Sequence, residues 1–548
     1  MIRDEIKKII EKAVKKVGDV QAPHFSVEVP GEKSFGDYST NVALALSKQL
    51  QQSPLEVANQ IANHIKSDMF EKVEVKSPGF INFYLSKDFF VESIKKIDKN
   101  IGKNSSFKKA KTIVEYTDPN ILKEFHIGHF MSNAIGESVS RIFEFQGANV
   151  KRVCYQGDVG LHVAKAVWGK LKNVDKSWQD AYVFGAEAYE NDETAKGEIA
   201  SLNKKIFERS NKNINTLYDQ GRKESLAYFE KLYAVLGTHF DRLFFESETA
   251  EIGKKLVYEN VGKVFEKGEK GAIIFKGENV GLHTRVFINA EGLPTYEAKD
   301  LALPELKYRY FKYDKSVIIT ANEQNAYFDV MLAALKQIKP PLAEKTKHIG
   351  HGMMRLPEGK MSSRTGKVVT AESLIGKVKE MVLEKANDKN LDGATVEQIA
   401  IGAIKCSILK QSIGSDIIYD FDRAISFEGD SGPYLQYSYA RAISLLRKAK
   451  AEKVKASLKN APPEITQLEK LMHQFSDVVE KAGKECEPHL VALYITELAR
   501  EFNNYYAHTK VVDKTDMFSP YRVAVVEAFS LIMKNGLWLL GIKAPEKM

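Results

Sequence analysis

Residues 112–155 read TIVEYTDPNILKEFHIGHFMSNAIGESVSRIFEFQGANVKRVCY. This segment opens with a short strand-like run, Thr112–Tyr116, which the turn residues Asp, Pro and Asn bring to an end. Apolar residues then recur at helical spacing over residues 127–145, and a second strand-like run follows at Asn149–Tyr155. A strand, a helix and a strand in this order predict the βαβ unit of a parallel sheet.

Two histidines, His126 and His129, lie between the first strand and the helix, with Gly128 between them. The start of a helix offers unpaired N–H groups and a partial positive charge, and a glycine lets a ligand approach the backbone. In open α/β sheets, ligands bind at the carboxyl ends of the strands. We therefore predict an anion site here. The alternatives are a pair that only caps the helix, or a metal site. A metal site needs further ligands, and none stands nearby at suitable spacing, so no resident metal is predicted.

The same four letters occur again at His348–His351. This second copy follows a polar stretch and has no helix after it. Its alternating side chains predict a strand and not a phosphate site, so the surroundings of the motif decide between the two copies.

A second candidate site is the loop Gly359–Lys367, which reads GKMSSRTGK. A loop of small and basic residues can move, and it can bring cations to a polyphosphate whose charge shifts during a reaction. The alternative is a solvated basic loop without a ligand. The chain contains no GxxxxGK[ST] sequence, which excludes the P-loop class of nucleotide hydrolases.

The chain has 548 residues, of which 44% are apolar and 28% charged, so it is expected to fold into several globular domains. No run approaches the ~18 apolar residues of a membrane span, and the N-terminus lacks a signal-peptide core. The three cysteines are far apart and form no CxxC, which argues against a disulfide framework or a zinc knuckle. We expect a cytoplasmic protein. The net charge of +8 permits a polyanionic partner without requiring one.

The chain is predicted to be an α/β protein that divides into four regions. Residues 175–250 are polar and helical in pattern, and they interrupt the alternation of strands and helices. The regions are a small α+β unit at 1–105, an α/β core at 106–345 with an insertion at about 175–285, a loop region at 346–430 and an all-helical part at 431–548.

These motifs together resemble a class I aminoacyl-tRNA synthetase, and specifically the arginyl-tRNA synthetase family. The resemblance rests on DPNILKEFHIGH at 118–129, the loop at 359–367, SGPYLQYSYARAISLLRKA at 431–449 and GDYSTNVA at 36–43. It implies a Rossmann-like class I catalytic core, an additional N-terminal domain that reads the tRNA elbow and a helical DALR-type anticodon-binding domain. It also implies an arginine–tRNA ligase that uses ATP with Mg²⁺, acts as a monomer and needs tRNA(Arg) for activation.

The resemblance assigns roles to the two motifs. The ATP site would comprise His126, Gly128, His129, Lys360, Met361, Ser362 and Ser363. The family loop usually carries a second lysine where this chain has Ser363, and Lys123 is the expected substitute. The catalytic residues would then be His126, His129, Lys360 and Lys123. A solvated turn lysine is the alternative for Lys123.

An arginine pocket needs a carboxylate at fixed geometry, because a guanidinium is planar and always charged. Positions that resemble the family's pocket are Glu115, Asn120, Tyr296, Asp300 and Gln324. We expect Asp300 to bind the guanidinium beside Tyr296, and Asn120 and Gln324 to hold the head group. Glu246 is a weaker candidate for a second carboxylate. Glu115 could instead pair with a basic neighbour, Asn120 could cap a helix and Tyr296 could be core.

The helical C-terminal region is expected to bind tRNA(Arg). Seven Lys or Arg and one Glu lie between residues 441 and 459, which predicts a helical surface that faces RNA phosphate. The residues assigned to tRNA are Arg447, Lys448, Lys450, Tyr434 and Met548. The alternatives are a solvated basic face and core tyrosines.

Three alternative interpretations of the whole chain are another class I synthetase, a nucleotidyltransferase with a similar histidine motif and a non-catalytic tRNA-binding paralogue.

Overall fold

The computed structural model describes residues 2–18, 20, 22–173, 175–355, 369–385 and 391–548. The chain begins with a small α+β unit, as the sequence predicts. Its elements are α1 (Ile2–Val17), β1 (Val27–Glu28), β2 (Tyr38–Thr40), α2 (Val42–Leu50), α3 (Pro54–His64), β3 (Phe70–Lys76), β4 (Phe80–Leu85) and α4 (Lys87–Lys95). The four strands form an antiparallel sheet in the order β1-β2-β4-β3, and this unit has its own hydrophobic core.

The predicted βαβ unit follows, with nearly the predicted bounds. It consists of β5 (Lys111–Tyr116), α5 (Ile127–Phe145) and β6 (Asn149–Gln156), and the two strands pair in parallel. Four helices come next: α6 (Leu161–Lys172), α7 (Trp178–Asn191), α8 (Glu193–Glu208) and α9 (Lys212–Leu236). The helical pattern predicted for this part of the chain is therefore confirmed.

The insertion predicted at about 175–285 needs a correction. It contains β7 (Arg242–Phe245), which pairs in parallel with β6 and is a strand of the main sheet. The sequence of β7 is only four residues long and lies between helices. Its strand character comes from pairing with a distant partner, and no local pattern reveals that.

The rest of the α/β core completes the sheet. In chain order the elements are α10 (Glu246–Glu259), β8 (Glu266–Lys267), β9 (Ile273–Phe275), β10 (Arg285–Ile288), α11 (Tyr296–Tyr310), β11 (Lys315–Ala321), α12 (Asn325–Ile338), α13 (Pro340–Lys345) and β12 (Thr346–His351). The main sheet is parallel throughout, in the order β12-β11-β5-β6-β7. The strands β8, β9 and β10 form a separate antiparallel sheet. The carboxyl ends of the five parallel strands therefore share one edge.

The C-terminal region is helical, as predicted. The core is followed by β13 (Met354–Arg355), α14 (Ala371–Lys385), α15 (Gly393–Leu409), β14 (Ile417–Ile418) and α16 (Phe421–Ala424), and then by α17 (Gly432–Ala451), α18 (Gln467–Met472), α19 (Phe475–Glu485), α20 (His489–His508) and α21 (Ser519–Leu539). These last helices share one hydrophobic core with α5. Among the described residues, no helix combines the length and the hydropathy that crossing a membrane requires.

Candidate active site

The two histidines of the first motif both cap α5. His126 is the N-cap residue, and its Nδ1 accepts the N–H of Gly128 at 3.1 Å. The Nδ1 of His129 accepts the N–H of His126 at 3.2 Å, and the rings stack with 3.6 Å between their centroids. The alternative in which the histidine pair caps the helix is therefore correct, but capping does not occupy the whole of either ring. It uses one nitrogen of each ring and leaves the other available.

Both imidazoles are neutral near pH 7. Burial, together with the positive charge of Lys123, lowers the pKa of His126 to about 4. Burial also holds the pKa of His129 well below its usual range, and His126 and Lys123 add to the effect. Because each Nδ1 accepts a hydrogen bond, each proton lies on Nε2. Neither Nε2 has a hydrogen-bond partner within the described chain, so both N–H groups can donate to an anion.

Lys123 lies close to this pair. Its Nζ is 4.0 Å from the centre of the Tyr182 ring, and its side chain is partly buried. Its charge contributes to the low pKa values of His126, His129 and His162. The contact with the Tyr182 ring and the partial burial argue against a fully solvated turn lysine. The geometry therefore favours the alternative in which Lys123 supplies a cation to the site.

Lys360, Met361, Ser362 and Ser363 lie outside the described residues, so their predicted roles stay predictions. The chain on the C-terminal side of this loop is held against the histidine motif. The N–H of Ile127 donates to the carbonyl of Val369 at 3.2 Å, and the N–H of Ala371 donates to the carbonyl of Phe125 at 2.8 Å. Residues 369 and 371 are therefore joined by backbone hydrogen bonds to the start of α5.

The second copy of the motif forms β12, as predicted. His348 stacks on Phe328 with 4.0 Å between the ring centroids, and its Nε2 is 2.8 Å from the hydroxyl of Thr320. No helix begins at this copy, so its histidines cannot cap one.

Asp300 lies on the first turns of α11, and Tyr327 donates its hydroxyl to the carboxylate at 2.5 Å. Burial, together with the nearby charges of Glu246 and Glu115, raises the pKa of Asp300 to about 7. No cation pairs with Asp300 in the part of the chain that is described. Asp300 is half-buried, and a carboxylate that has lost part of its water without gaining a cation is costly, so a bound guanidinium would relieve that cost.

The two glutamates near Asp300 are already neutralised. Glu115 is 3% exposed and accepts from Lys307, itself fully buried, at 2.9 Å. This favours the alternative in which Glu115 pairs with a basic neighbour, so it forms the wall of the pocket. Glu246 begins α10 and is bonded to the buried Lys299.

The other predicted pocket residues come together at the same edge of the sheet. Tyr296 is 51% exposed, which excludes the core alternative, and its hydroxyl lies 3.4 Å from Nδ1 of His162. Asn120 follows β5 and bridges to Gly157 beyond β6. It does not cap α5, because His126 does. Gln324 is exposed just beyond β11.

Sequence reasoning missed two residues of this site. His162 lies on the first turn of α6, and its Nε2 is 3.2 Å from the carbonyl of Gly157. The glycine-rich turn after β6 repeats the strand–turn–helix setting of the histidine pair and could have revealed it. Asp118 was taken only as a turn residue. Its φ of +44° is strained, its carboxylate accepts the N–H of Tyr155 at 2.7 Å, and burial followed by the charge of Glu115 raises its pKa.

The basic stretch predicted for tRNA is only partly helical. α17 ends at Ala451, so the last three lysines of the basic stretch, at 453, 455 and 459, lie beyond the helix. The Arg447 guanidinium pairs with Glu546, whereas Lys448 is 3.9 Å from Glu452 and Lys450 is exposed. Tyr434 and Met548 are partly buried against the main core. Packing against the core therefore explains the partial burial of both side chains.

A parallel sheet with stacked histidines at the start of α5, together with a KMSSR sequence at 360–364, is typical of a class I aminoacyl-tRNA synthetase. Residues 91–421 match the family model for the catalytic domain of class I (R) tRNA synthetases. Residues 435–548 match the DALR anticodon binding domain, and residues 4–85 match the arginyl tRNA synthetase N terminal domain. The chain belongs to the arginyl-tRNA synthetase family.

Relatives agree over the full length of the chain. The arginine–tRNA ligase of Clostridium acetobutylicum is 30% identical over 99% of this chain and 100% of the relative. The arginyl-tRNA synthetase of Thermus thermophilus has a TM-score of 0.75 at 24% identity, with all of both chains covered. That of Plasmodium falciparum has a TM-score of 0.81 at 23% identity, covering 100% of this chain and 99% of the other. The predicted family and fold class are confirmed.

Proposed function

We propose that this chain activates L-arginine with ATP, giving arginyl-adenylate and pyrophosphate, and then esterifies the 3′ end of tRNA(Arg). The observation that carries the proposal is the charge pattern of the pocket. Lys307 neutralises Glu115 and Lys299 neutralises Glu246, while the half-buried Asp300 has a tyrosine hydroxyl and no cation as its partner among the described residues. A ligand with a planar cationic end fits this arrangement better than a neutral or acidic one.

The first step is a displacement at the α-phosphorus of ATP. A carboxylate oxygen of arginine forms the new P–O bond, and the bond to pyrophosphate breaks. The protein mainly positions groups and stabilises charge in such a step. The Nε2–H groups of His126 and His129 would donate to the phosphates, Gly128 would leave room for the adenine, and Lys123 and Lys360 would supply positive charge.

Asn120, Tyr296 and Gln324 would orient the amino acid beside Asp300. Met361, Ser362 and Ser363 would accompany Lys360 at the nucleotide. The described residues include no group of three potential metal ligands. Mg²⁺ would therefore enter with the phosphates of ATP, as part of the nucleotide substrate.

The second step transfers the arginyl group to tRNA. A terminal ribose hydroxyl attacks the acyl carbon, AMP leaves, and the hydroxyl proton is lost to solvent or to the leaving phosphate. The C-terminal helices would bind the tRNA through Arg447, Lys448, Lys450, Tyr434 and Met548, and the N-terminal unit would contact its elbow. We further propose that the chain acts as a cytoplasmic monomer and needs tRNA for activation.

The test is ATP–pyrophosphate exchange with each amino acid in turn, with and without tRNA(Arg). Exchange that requires arginine and is stimulated by tRNA is the expected result. Exchange that prefers another amino acid would exclude the proposed pocket, and a folded protein without any exchange would favour the non-catalytic paralogue. Lysine is the sharpest competitor, because it has the same charge without the planar fork.

A further inference from the structure

A fully buried lysine, Lys405, joins three parts of the chain. It lies on α15, and its Nζ donates to the carbonyl of Leu236 at 2.7 Å and to the carbonyl of Gly541 at 2.8 Å. Leu236 ends α9 of the catalytic core, and Gly541 follows α21 of the helical C-terminal region. The last carbonyls of a helix lack intrahelical partners, so the Lys405 ammonium supplies the carbonyl of Leu236 with a hydrogen-bond donor.

Arg141 on α5 repeats the arrangement beside it. Its guanidinium donates to the carbonyl of Gly237 at 3.0 Å and to the carbonyl of Trp538 at 3.0 Å, and it pairs with Glu137. Two cations thus hold the end of α9 against the end of α21. Lys405 differs from Arg141 in having no carboxylate partner among the described residues.

The other end of this connection is the histidine motif. In the middle of α9, the hydroxyl of Ser225 accepts the N–H of Leu122 at 2.9 Å, and the hydroxyl of Tyr228 accepts the N–H of Phe125 at 3.4 Å. Leu122 has a φ of +62°, which is strained for leucine. α9 therefore holds the strained segment that carries Lys123 and leads into His126.

Stability alone does not explain Lys405. Burial lowers its pKa to about 7, with the charge of Arg141 adding to the effect, so keeping this amine buried is unfavourable. Replacing buried charged groups by apolar ones of similar size is often neutral or stabilising. The two hydrogen bonds of Lys405 nevertheless join carbonyls from different parts of the chain, which an apolar side chain of similar size could not do.

We propose that Lys405 is a positioning residue for amino-acid activation, which fixes α9 against α21 and thereby places the segment before His126. The proposal rests on the proposed arginine activation. In this proposal, α9 is the rigid helix through which the C-terminal helices position the catalytic groups. Lys405 itself does not touch the reacting atoms.

The first test compares Lys405→Met with Lys410→Met in arginine-dependent ATP–pyrophosphate exchange. Lys410 lies at the end of the same helix and pairs with Asp430, without touching α9. We expect kcat of Lys405→Met to fall about tenfold, with the KM values for ATP and arginine within about twofold of the wild type. Lys410→Met should keep the wild-type kcat. An unchanged kcat in a folded Lys405→Met protein would overturn the proposal, and activity of the wild type in the same assay tests the proposed function separately.

The second test is a double-mutant cycle with Ser225→Ala. If Lys405 acts through α9, the double variant should have a kcat within about twofold of the slower single variant. Independent losses that multiply would overturn the proposal. Should Lys405→Met fail to fold, Gly541→Ala replaces it in both tests. A Cβ at residue 541 would lie 2.9 Å from Nζ of Lys405 and displace it without removing the charge. A wild-type kcat for Gly541→Ala would then count against the proposal.

Discussion

Asp300→Asn isolates the interaction on which arginine recognition depends. The change keeps the size of the side chain and its contact with Tyr327, and it removes the negative charge. In the wild type the carboxylate is half-buried near two glutamates that already have lysine partners. The guanidinium of a bound arginine would be the missing cation.

Two magnitudes follow from the structure. Breaking a buried ion pair by removing one partner costs about 3–5 kcal/mol, so the KM for arginine should rise by about 10²–10⁴-fold. The second concerns pH, because the pKa of free Asp300 is about 7 and arginine binds the ionised form. Arginine affinity is therefore complete above that pKa, and the KM should rise about tenfold between about pH 8 and about pH 6.

The assay is ATP–pyrophosphate exchange at saturating ATP, with the arginine KM measured across this pH range. Asp300→Asn should have a high KM that no longer depends on pH. Asp329→Asn is the control, because Asp329 is an exposed carboxylate on the neighbouring α12. A normal KM in Asp300→Asn, or the same pH dependence in variant and wild type, would refute the assignment of Asp300 to the guanidinium.

Three further predictions concern other parts of the molecule. Lys123→Ala should slow adenylate formation by about 10²-fold, measured in a single turnover, because a positive charge beside the phosphates is lost; an unchanged rate would return Lys123 to a turn role. Lys307→Met should lower the free energy of unfolding in urea by about 3–5 kcal/mol, because it leaves a buried carboxylate unpaired, whereas equal stability would show that the pair is dispensable. Replacing Arg447, Lys448 and Lys450 by Ala should weaken tRNA binding and flatten its salt dependence, and an unaltered salt slope would mark a solvated face.

The sequence predicted the elements whose local pattern and long-range partners agree. β5, α5 and β6 follow from apolar runs, helical spacing and turn residues, and the structure has them almost where they were expected. β7 was missed because its four residues become a strand only by pairing with β6. The basic stretch in the C-terminal region was predicted as one helical surface, yet α17 ends at Ala451. Lysine is a good helix former, so the basic composition of the stretch does not reveal this end.

The site was predictable in its residue types more than in its pairings. The histidine pair could be located because strand, turn and helix stand next to each other in sequence. The partner of Glu115, Lys307, is 192 residues away, and no pattern connects the two. Asp118 was missed for the same reason, since its partner Tyr155 lies on another strand. His162 was missed although the glycine-rich turn beside it is a local signal. Spatial contacts between distant segments decide which carboxylate is free for a ligand, and these contacts require the fold.

The most direct test of arginine–tRNA ligation is the product itself. The purified chain is incubated with ATP, Mg²⁺, a tRNA(Arg) transcript and a mixture of all the amino acids, and the 3′-terminal nucleoside is then analysed by mass spectrometry. The account predicts an ester of arginine at the terminal ribose, together with AMP and pyrophosphate. A terminal ester of any other amino acid, or none from a folded protein whose substrates are intact, would contradict it.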